Sequence, residues 1–345
     1  GLDTRLLVIP TGATPRPQRL VVRVTGFAPQ GVSGTLRLTL PPGWTSTPAE
    51  APFTFKTAGE KTSTPFVVTP PTRRAAGSVS ISAQAVVNGT TYTKDVQVIE
   101  YPHIQTHRLY SPATATAQVV DLKVAPVRVG YIMGSGDEVP DAIRRMGVDV
   151  TLLDGGALAT GDLSRYDTIV VGIRASEANP DFVANNGRVL DYVRRGGTLI
   201  VQYQQAEYAN RNLTPYPAMP PTNATPRVTD ETAAVTILVP THPAFTFPNR
   251  ITDADFQGWV QERNSYAFSG FAAQYTPLLE AADPGEPPVR GAEVYAELGR
   301  GRYVYTSYSW FRQLPAGVPG AYRQFANLIS LAKAPRAGAQ APAAR

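Results

Sequence analysis

The segment 127–153 reads VRVGYIMGSGDEVPDAIRRMGVDVTLL. In it an apolar run, a polar turn, a stretch with helical spacing and a second apolar run follow one another. This order predicts a strand at 127–133, a helix at 138–146 and a strand at 148–153. Two parallel strands need a crossover of this kind, so the segment predicts a right-handed βαβ unit.

The same alternation of strands and helices continues toward the C-terminus. The sequence predicts strands at 166–173, 198–203, 233–239, 276–281, 294–297 and 302–307 and helices at 185–195 and 320–332. The Gly196-Gly197 pair is a suitable C-terminal cap for the helix before it. Residues 204–227 are rich in Pro and Asn and are expected to form a long excursion. The pattern predicts an α/β domain at 127–333 with an open, mainly parallel sheet.

Residues 1–100 have a different pattern, in which short alternating segments are separated by turn residues. Strands are predicted at 20–24, 34–40, 53–55, 64–68, 78–87 and 92–99. Asn88-Gly89 predicts a hairpin turn. Short strands without helical periodicity predict an immunoglobulin-like β-sandwich in this region. Residues 101–126 are interpreted as a connector, and the low-complexity end at 334–345 as a mobile tail.

The composition excludes several classes of function. Hydrophobic residues make up 43% of the 345 residues and charged residues 17%, and the net charge is +5. The basic residues are scattered, whereas a nucleic-acid-binding protein concentrates them on one face. Because the chain has no cysteine, disulfides, thiolate metal sites and cysteine nucleophiles are excluded. A run of about 18 apolar residues is missing, so no membrane-spanning helix is expected.

The predicted parallel sheet brings polar loop residues to one edge. Ligands of open α/β sheets bind beyond the carboxyl ends of the strands. The residues expected there are Asp137, Glu138, Arg174, Gln202, Tyr203, Glu207, Trp310 and Arg312. Carboxylates, arginines and aromatic rings together are typical of a site for a polar small molecule or a sugar. Trp259 is a further candidate for stacking on a sugar ring, although a Trp is more often part of a core.

The histidines do not indicate a metal or cofactor site. His103 and His107 have i, i+4 spacing, but zinc needs a third ligand and the connector carries no helix signal. His242 precedes a proline, and without a nucleophile nearby a structural role is the favoured interpretation. We therefore predict no metal and no cofactor.

Two resemblances add to this interpretation. The segments YDTIVVGIRA (166–175), GGTLIVQY (196–203), THPAF (241–245) and GRGRYVYTSYSWF (299–311) resemble the class I glutamine amidotransferase-like superfamily. The segments YPHI (101–104), ADFQGWVQERNSYAF (254–268) and RQLPAGVPGAYRQFANLIS (312–330), together with residues 130–153, resemble the C-terminal region of large bacterial PIG-L-type deacetylase proteins.

The second resemblance implies a β-sandwich and an open flavodoxin- or amidotransferase-like α/β domain that follow a zinc deacetylase domain. It also implies an exported protein in the periplasm, at the cell surface or in the medium. The chain opens at Gly1 without Met, so we expect a processed or truncated product. The deacetylase motif of His-Pro-Asp-Asp type is missing, and the turn at 202–204 carries no cysteine where amidotransferases place their nucleophile.

Three hypotheses about function follow. The first is a non-catalytic accessory segment that recognises carbohydrate or an N-terminal deacetylase domain. The second is a hydrolase of an amide or glycan that uses a carboxylate as acid or base. Its candidate residues are Asp137, Glu207, Glu262 and His242, with Arg174 or Arg312 holding an anion. The third is a self-assembling surface or filament protein in which residues 1–18 add a strand to a neighbouring copy.

Overall fold

The chain forms two compact units, Gly1–Asp121 and Leu122–Arg345. The structure is a computed structural model, and it describes residues 1–12, 14, 16–221 and 227–336. The fold is rich in β-structure, with several sheets and short helices. The boundary between the units lies inside the predicted connector at 101–126.

The first unit is a sandwich of two sheets. Its strands are β1 (Leu6–Pro10), β2 (Gln18–Thr25), β3 (Val32–Thr39), β4 (Thr45–Thr47), β5 (Glu50–Phe55), β6 (Lys61–Thr69), β7 (Gly77–Val87), β8 (Thr90–Tyr92), β9 (Lys94–Ile99), β10 (His107–Pro112) and β11 (Thr114–Val120). One sheet has the order β1-β11-β7-β3-β5 with β8 beside β7, and the other has the order β2-β6-β4. Apolar side chains of both sheets, among them Leu20, Phe66, Leu36 and Ile81, share one core.

The predicted Asn88-Gly89 turn is confirmed. It joins β7 to β8, and Val87 pairs with Thr90 across it. Asn88 has a φ of 48° and Gly89 a φ of 77°. Two consecutive residues with positive φ are the requirement of a tight hairpin turn, and Asn-Gly meets it at low cost.

The connector prediction at 101–126 is wrong, because most of this stretch is strand. β10 pairs with β9, and β11 pairs with both β1 and β7. Ala115 and Ala117 alternate into the core, where their exposed fractions are 2% and 0%. Such small residues between threonines resemble a loop in sequence, but they fit a strand that lies close to its neighbours.

The N-terminal segment is already paired within its own unit. β1 forms a parallel pair with β11. The amide of Asp3 donates to the carbonyl of Val21 at 3.0 Å, and the amide of Arg23 donates to the carbonyl of Gly1 at 2.8 Å. The strand addition proposed for residues 1–18 would therefore first have to break these hydrogen bonds. Positions 13 and 15 of that segment lie outside the described residues.

The second unit contains the remaining strands and the helices. The strands are β12 (Val129–Ile132), β13 (Val150–Leu152), β14 (Thr168–Val171), β15 (Thr198–Gln202), β16 (Ala218–Met219), β17 (Val235–Ile237), β18 (Gly270–Phe271), β19 (Thr276–Pro277), β20 (Leu279–Ala281), β21 (Glu293–Leu298) and β22 (Gly301–Thr306). The helices are α1 (Val139–Arg145), α2 (Gly155–Thr160), α3 (Ala175–Ala178), α4 (Pro180–Arg194), α5 (Ala206–Asn210), α6 (Pro243–Thr246), α7 (Trp310–Ala316) and α8 (Pro319–Ser330). Short 3₁₀ helices lie at Leu163–Arg165, Asp253–Phe256 and Leu331–Lys333.

The main sheet of the second unit has the order β13-β12-β14-β15-β22-β21-β19. The strands β13, β12, β14, β15 and β22 are all parallel, and β21 runs antiparallel to both of its neighbours, β22 and β19. This agrees with the predicted mainly parallel sheet. The carboxyl ends of β12, β14, β15 and β22 lie at one edge, which we call the carboxyl edge.

Helices cover the sheet because its strands are apolar on both faces. Phe182 and Val189 of α4 pack with Ile169 and Leu199 of the sheet in one core. α4 begins earlier than the predicted 185, since the Asn179 side chain accepts from the amide of Phe182 and Pro180 occupies the first turn. These are the start signals of a helix.

The end of the chain is only partly described. The Arg302 guanidinium donates to the carbonyls of Ala334 and Pro335 at 2.9 and 3.1 Å. The first residues of the predicted tail are thus held against β22. The rest of it, 337–345, lies outside the described residues. Within the described part of the chain, no helix is both long and apolar enough to cross a bilayer.

Candidate functional site

Asp137 joins two loops of the carboxyl edge. Its Oδ1 accepts from the Tyr131 hydroxyl at 2.7 Å and from the amide of Val139 at 3.0 Å, and its Oδ2 faces the amide of Ile173 at 3.4 Å. Gln202 Nε2 donates to the same Tyr131 hydroxyl at 2.8 Å. Burial raises the pKa of the Asp137 carboxyl. The predicted ligand residues Asp137 and Gln202 thus meet through Tyr131.

The prediction that Gln202 contacts a ligand is wrong for this structure. Its side chain is 1% exposed, and its amide nitrogen is used by the Tyr131 hydroxyl. Its Oε1 is buried without a hydrogen-bond partner among the described residues. Gln202 therefore has a positioning role under the edge.

Arg174 is on the surface of the edge. It follows β14, and its Nε and Nη2 donate to Glu177 Oε2 at 2.9 and 2.6 Å. This hydrogen bond is the main cause that raises the pKa of Arg174. The amide of Arg174 donates to the carbonyl of Tyr203 at 2.9 Å. The loops after β14 and β15 are thereby held side by side.

Three aromatic rings form a surface next to Arg174, which we call the aromatic platform. It consists of Tyr203, Tyr266 and Phe311. The Tyr203 and Tyr266 rings stack with centroids 5.0 Å apart, and Tyr203 lies 5.7 Å from Phe311. Tyr266 is 38% exposed while Tyr203 is 9% exposed. The Tyr266 ring is therefore partly exposed and rests on the largely buried ring of Tyr203.

Arg312, which is paired with Glu262, lies next to Phe311 of the platform. Arg312 Nε donates to Glu262 Oε1 at 2.9 Å, and Arg312 also donates to the side chain of Gln261. The guanidinium carbon lies 5.0 Å from the centroid of Phe311, a cation–π contact. Both arginines predicted for the site are thus at the platform, each paired with a carboxylate.

The backbone around the platform is strained. Among the described non-glycine residues, those with positive φ are Asn88, Asn212, Arg174 (56°), Gln261 (68°) and Tyr266 (63°). Asn tolerates this conformation, whereas the other three residue types are held there at a cost of about 1 kcal/mol each. All three lie at the platform. Strain of this kind is concentrated at binding and catalytic sites.

The prediction that Trp259 and Trp310 stack on a ligand is wrong, because both are core residues. Their exposed fractions are 4% and 0%. Trp259 Nε1 donates to the carbonyl of Asp255 at 3.2 Å, and Trp310 Nε1 donates to Thr306 Oγ1 at 2.8 Å. The two rings pack edge to face, 5.3 Å apart. The exposed ring is instead Tyr266.

The two remaining acidic candidates at the edge are separate from this network. Glu138 is exposed and directly precedes α1. Glu207 lies in the first turn of α5, and its Oε2 is enclosed without a hydrogen-bond partner among the described residues. Neither of them forms a described ion pair with Arg174 or Arg312, whose partners are Glu177 and Glu262.

His242 has a structural environment. Its Nδ1 accepts from the amide of Ala244 at 3.1 Å and so caps α6. Its ring packs against Tyr295 at 4.5 Å. Burial and the nearby Arg302 lower the pKa of His242 to about 4. Arg302 lies at the start of β22, so His242 is near the amino end of that strand and not at the carboxyl edge with the acidic candidates.

Sequence reasoning missed a buried polar cluster beyond the end of β22. Glu293 is 2% exposed, and its Oε2 accepts from Thr306 Oγ1 at 2.9 Å. Burial raises its pKa to about 7. Both amide atoms of Asn264, the Tyr308 hydroxyl and Ser309 Oγ are buried without a hydrogen-bond partner among the described residues. The hydrophobic pattern of the strands does not predict that these side chains are buried. Their burial results from the pairing of the loop at 263–266 with residues 307–309, which are distant in sequence.

Metal ligands do not converge in the described part of the chain. No group of three or more His, Asp or Glu side chains there is close enough to hold a metal ion.

Comparisons with known proteins show partial likenesses. No family model and no curated protein matches this chain. The cold-adapted β-galactosidase from Rahnella sp. R3 is similar with 14% identity and a TM-score of 0.35, over 60% of this chain and 32% of that one. WR4, an MSP family member of C. elegans, is similar with 8% identity and a TM-score of 0.21, over 34% and 95%. A PapD-like domain of a human protein is similar with 10% identity and a TM-score of 0.21, over 36% and 86%.

This chain spans about a third of that β-galactosidase. At TM-scores this low, the function of these proteins cannot be inferred for this chain.

Proposed function

We propose that this chain is a non-catalytic accessory segment that recognises carbohydrate at the aromatic platform. The observation that carries the proposal is the partly exposed Tyr266 ring, which is stacked on Tyr203 in a platform that the Arg174–Glu177 and Arg312–Glu262 pairs adjoin. An exposed aromatic face packs against the apolar face of a sugar ring. The paired arginines and carboxylates supply donors and acceptors for the hydroxyl groups.

We also propose the finer fold classes that the sequence predicts. The first unit would be immunoglobulin-like and the second flavodoxin- or amidotransferase-like. The parallel strands support the second class, because in chain order their positions are 2-1-3-4-5, the order of flavodoxin-like folds. In such folds the ligand binds where the strand order reverses, here between the loops after β12 and β14. Arg174 follows β14 and borders this point.

The biological setting is part of the same proposal. By the resemblance of its C-terminal segments, the chain would belong to an exported PIG-L-type deacetylase-related protein, in the periplasm, at the cell surface or in the medium. An N-terminal deacetylase domain would be its partner. A carbohydrate-binding segment would hold the deacetylase near its polymeric substrate, which raises the effective concentration of that substrate.

The test is glycan binding by the purified chain. Tyr266→Ala should weaken binding about tenfold or more, since aromatic stacking contributes roughly 1.5 kcal/mol. Arg312→Gln should weaken it as well, because it removes a donor and the cation–π support of Phe311. Tyr101→Ala is the matched control, since Tyr101 is exposed but lies in the first unit. Equal binding by wild type and Tyr266→Ala on a glycan array would contradict the proposal.

The hydrolase hypothesis stays a prediction. Asp137 is engaged with Tyr131 and Glu262 with Arg312, so each carboxylate already has a partner. Hydrolysis of a glycan or amide by the purified chain, lost in Glu262→Gln or Asp137→Asn, would favour an enzyme over a binding segment.

Self-assembly through residues 1–18 also stays a prediction and is tested by size-exclusion chromatography.

A further inference from the structure

The buried polar cluster beyond the end of β22 contains hydrogen-bonding groups that the proposed function does not use. Both amide atoms of Asn264, the Tyr308 hydroxyl and Ser309 Oγ have no hydrogen-bond partner among the described residues. The three residues are 0%, 1% and 0% exposed. Buried polar groups are nearly always hydrogen-bonded, because an unpaired one has lost its contacts with water. Several unpaired groups in one small region therefore indicate a bound partner that is not a protein side chain.

The pairing of two chain segments places Asn264 and Tyr308 side by side. The two residues lie directly opposite each other in an antiparallel bridge. The backbone hydrogen bonds on either side of this bridge join the residues before and after them, and not Asn264 and Tyr308 themselves. In such a non-hydrogen-bonded pair, both side chains lie on the same face and close together. The Asn264 amide and the Tyr308 side chain therefore project on the same side of the backbone.

Glu293 lies on that side as well. It pairs with Thr306 across β21 and β22, and its Oε2 accepts from Thr306 Oγ1 at 2.9 Å. The ladder continues past Thr306, because the amide of Ser307 donates to the carbonyl of Ala292 at 2.7 Å. Residues two apart in an extended chain share a face, so Thr306 and Tyr308 do. Burial and, after it, the Glu293 carboxylate raise the pKa of Tyr308.

The charges around the cluster disfavour a bound ion of either sign. Arg263 is 1% exposed, and its guanidinium donates to the carbonyls of Ala233 and Phe256. Its positive charge lowers the pKa of Tyr308, against the larger effect of burial, and it would repel a cation at that hydroxyl. The Glu293 carboxylate would repel an anion there. A neutral partner fits these surroundings better.

We infer that this cluster is an internal hydration site, in which an ordered water molecule bridges the Asn264 side chain and the Tyr308 hydroxyl. An amide nitrogen donates, an amide oxygen accepts and a hydroxyl does both, so the partner must both donate and accept. A buried water typically makes about three hydrogen bonds to such otherwise unpaired groups. The water would join the loop that carries Tyr266 to the segment after β22. The inference does not rest on the proposed carbohydrate site.

The experiment is a crystal structure of the full chain at a resolution that shows individual water molecules. A water peak is expected within hydrogen-bond distance of both the Asn264 side-chain amide and the Tyr308 hydroxyl. Asn264→Leu keeps the size of the side chain but removes its donor and acceptor, so this peak should be lost. Tyr303→Phe is the matched control, because the Tyr303 hydroxyl is also buried on β22 but already pairs with the Tyr208 hydroxyl at 3.0 Å.

The control separates hydration of this cluster from hydration of buried hydroxyls in general. Tyr303→Phe, and Tyr266→Ala at the carbohydrate site, should leave the water at Asn264 in place. The inference is overturned if Asn264 and Tyr308 hydrogen-bond directly to each other without a water, or if an ion or a larger molecule occupies the site. It is also overturned if the water remains in Asn264→Leu. The wild-type map decides the first two outcomes even if that variant does not fold.

Discussion

Glu293 is a buried acid whose protonation couples the stability of the second unit to pH. It begins β21, accepts a hydrogen bond from Thr306 and is 2% exposed. Burial raises its pKa from 4.5 to about 7. The folded protein therefore binds more protons than the unfolded chain between these two values. Its contribution to stability is complete below pH 4.5 and is lost as the pH rises through 7.

We predict that Glu293→Gln removes this part of the pH dependence. An amide keeps the size of the side chain and still accepts from Thr306, but it does not ionise. Between pH 4.5 and pH 8 the wild type should lose about 3 kcal/mol of unfolding free energy relative to the variant. Urea unfolding at a series of pH values measures this difference.

His242 acts with the opposite sign in the same experiment. Its pKa is lowered from 6.5 to about 4, so its contribution is present above pH 6.5 and is lost as the pH falls through 4. This term is common to the wild type and Glu293→Gln and cancels in their difference. Glu297→Gln, an exposed position on the same strand, is the control. Parallel pH curves for wild type and Glu293→Gln would disprove the assignment.

At the residue scale, the sequence predicted the charged part of the site better than the aromatic part. Arg174 and Arg312 lie at the edge as expected, because both belong to segments that follow parallel strands, β14 and β22, and such segments begin at the carboxyl edge. Trp310 follows β22 as well, but it turns into the core. Tyr266 comes from a loop that no strand pattern places. Whether a loop side chain is exposed depends on contacts with residues distant in sequence, so the sequence around Tyr266 does not predict it.

The backbones of the loops after β12 and β14 are in direct contact at Gly134 and Ile173. This contact holds the two loops together at the carboxyl edge. A Cβ added to Gly134 would lie 1.9 Å from the carbonyl oxygen of Ile173. The amide of Ser135 also donates to that carbonyl at 3.0 Å. Any side chain at position 134 must therefore push the two loops apart.

We predict that Gly134→Ala and Gly187→Ala change stability in opposite directions. Gly134→Ala should destabilise by about 1–3 kcal/mol, the usual cost of overpacking. Gly187 lies within α4 and a Cβ there would have no neighbour within 4 Å, so the same substitution should stabilise by about 0.5–1 kcal/mol through helix propensity. Urea midpoints of both variants decide this. Stabilisation by Gly134→Ala would show that the loops do not meet as described.

At the element scale, predictions succeeded where the hydrophobic period was clear. The strands β12, β14 and β15 and the Asn88-Gly89 hairpin were predicted close to their observed positions, since buried parallel strands and tight turns have strong local signals. β11 was missed because its inward positions are alanines, and the start of α4 was missed because Asn179 and Pro180 precede the periodic part of the helix. A strand with few large apolar residues forms because of its contacts with neighbouring strands, and its own sequence does not predict it.

At the scale of the whole molecule, each unit has a separate core. One core contains residues between Leu2 and Val119, and the other contains residues between Ile132 and Tyr305. Among the described residues, each of these two cores is built from side chains of a single unit. A domain with its own core can unfold by itself, so two transitions are expected in place of one.

We predict that core truncations act on one unit at a time. Phe66 is fully buried in the first unit and Phe325 in the second. Each Phe→Ala substitution should cost about 3–5 kcal/mol. Phe66→Ala should lower the calorimetric transition of the first unit while glycan binding at the aromatic platform persists. Phe325→Ala should lower the transition of the second unit and weaken glycan binding. If either variant shifts both transitions equally, the two units unfold as one cooperative structure, and loss of a ligand could no longer be assigned to a single site.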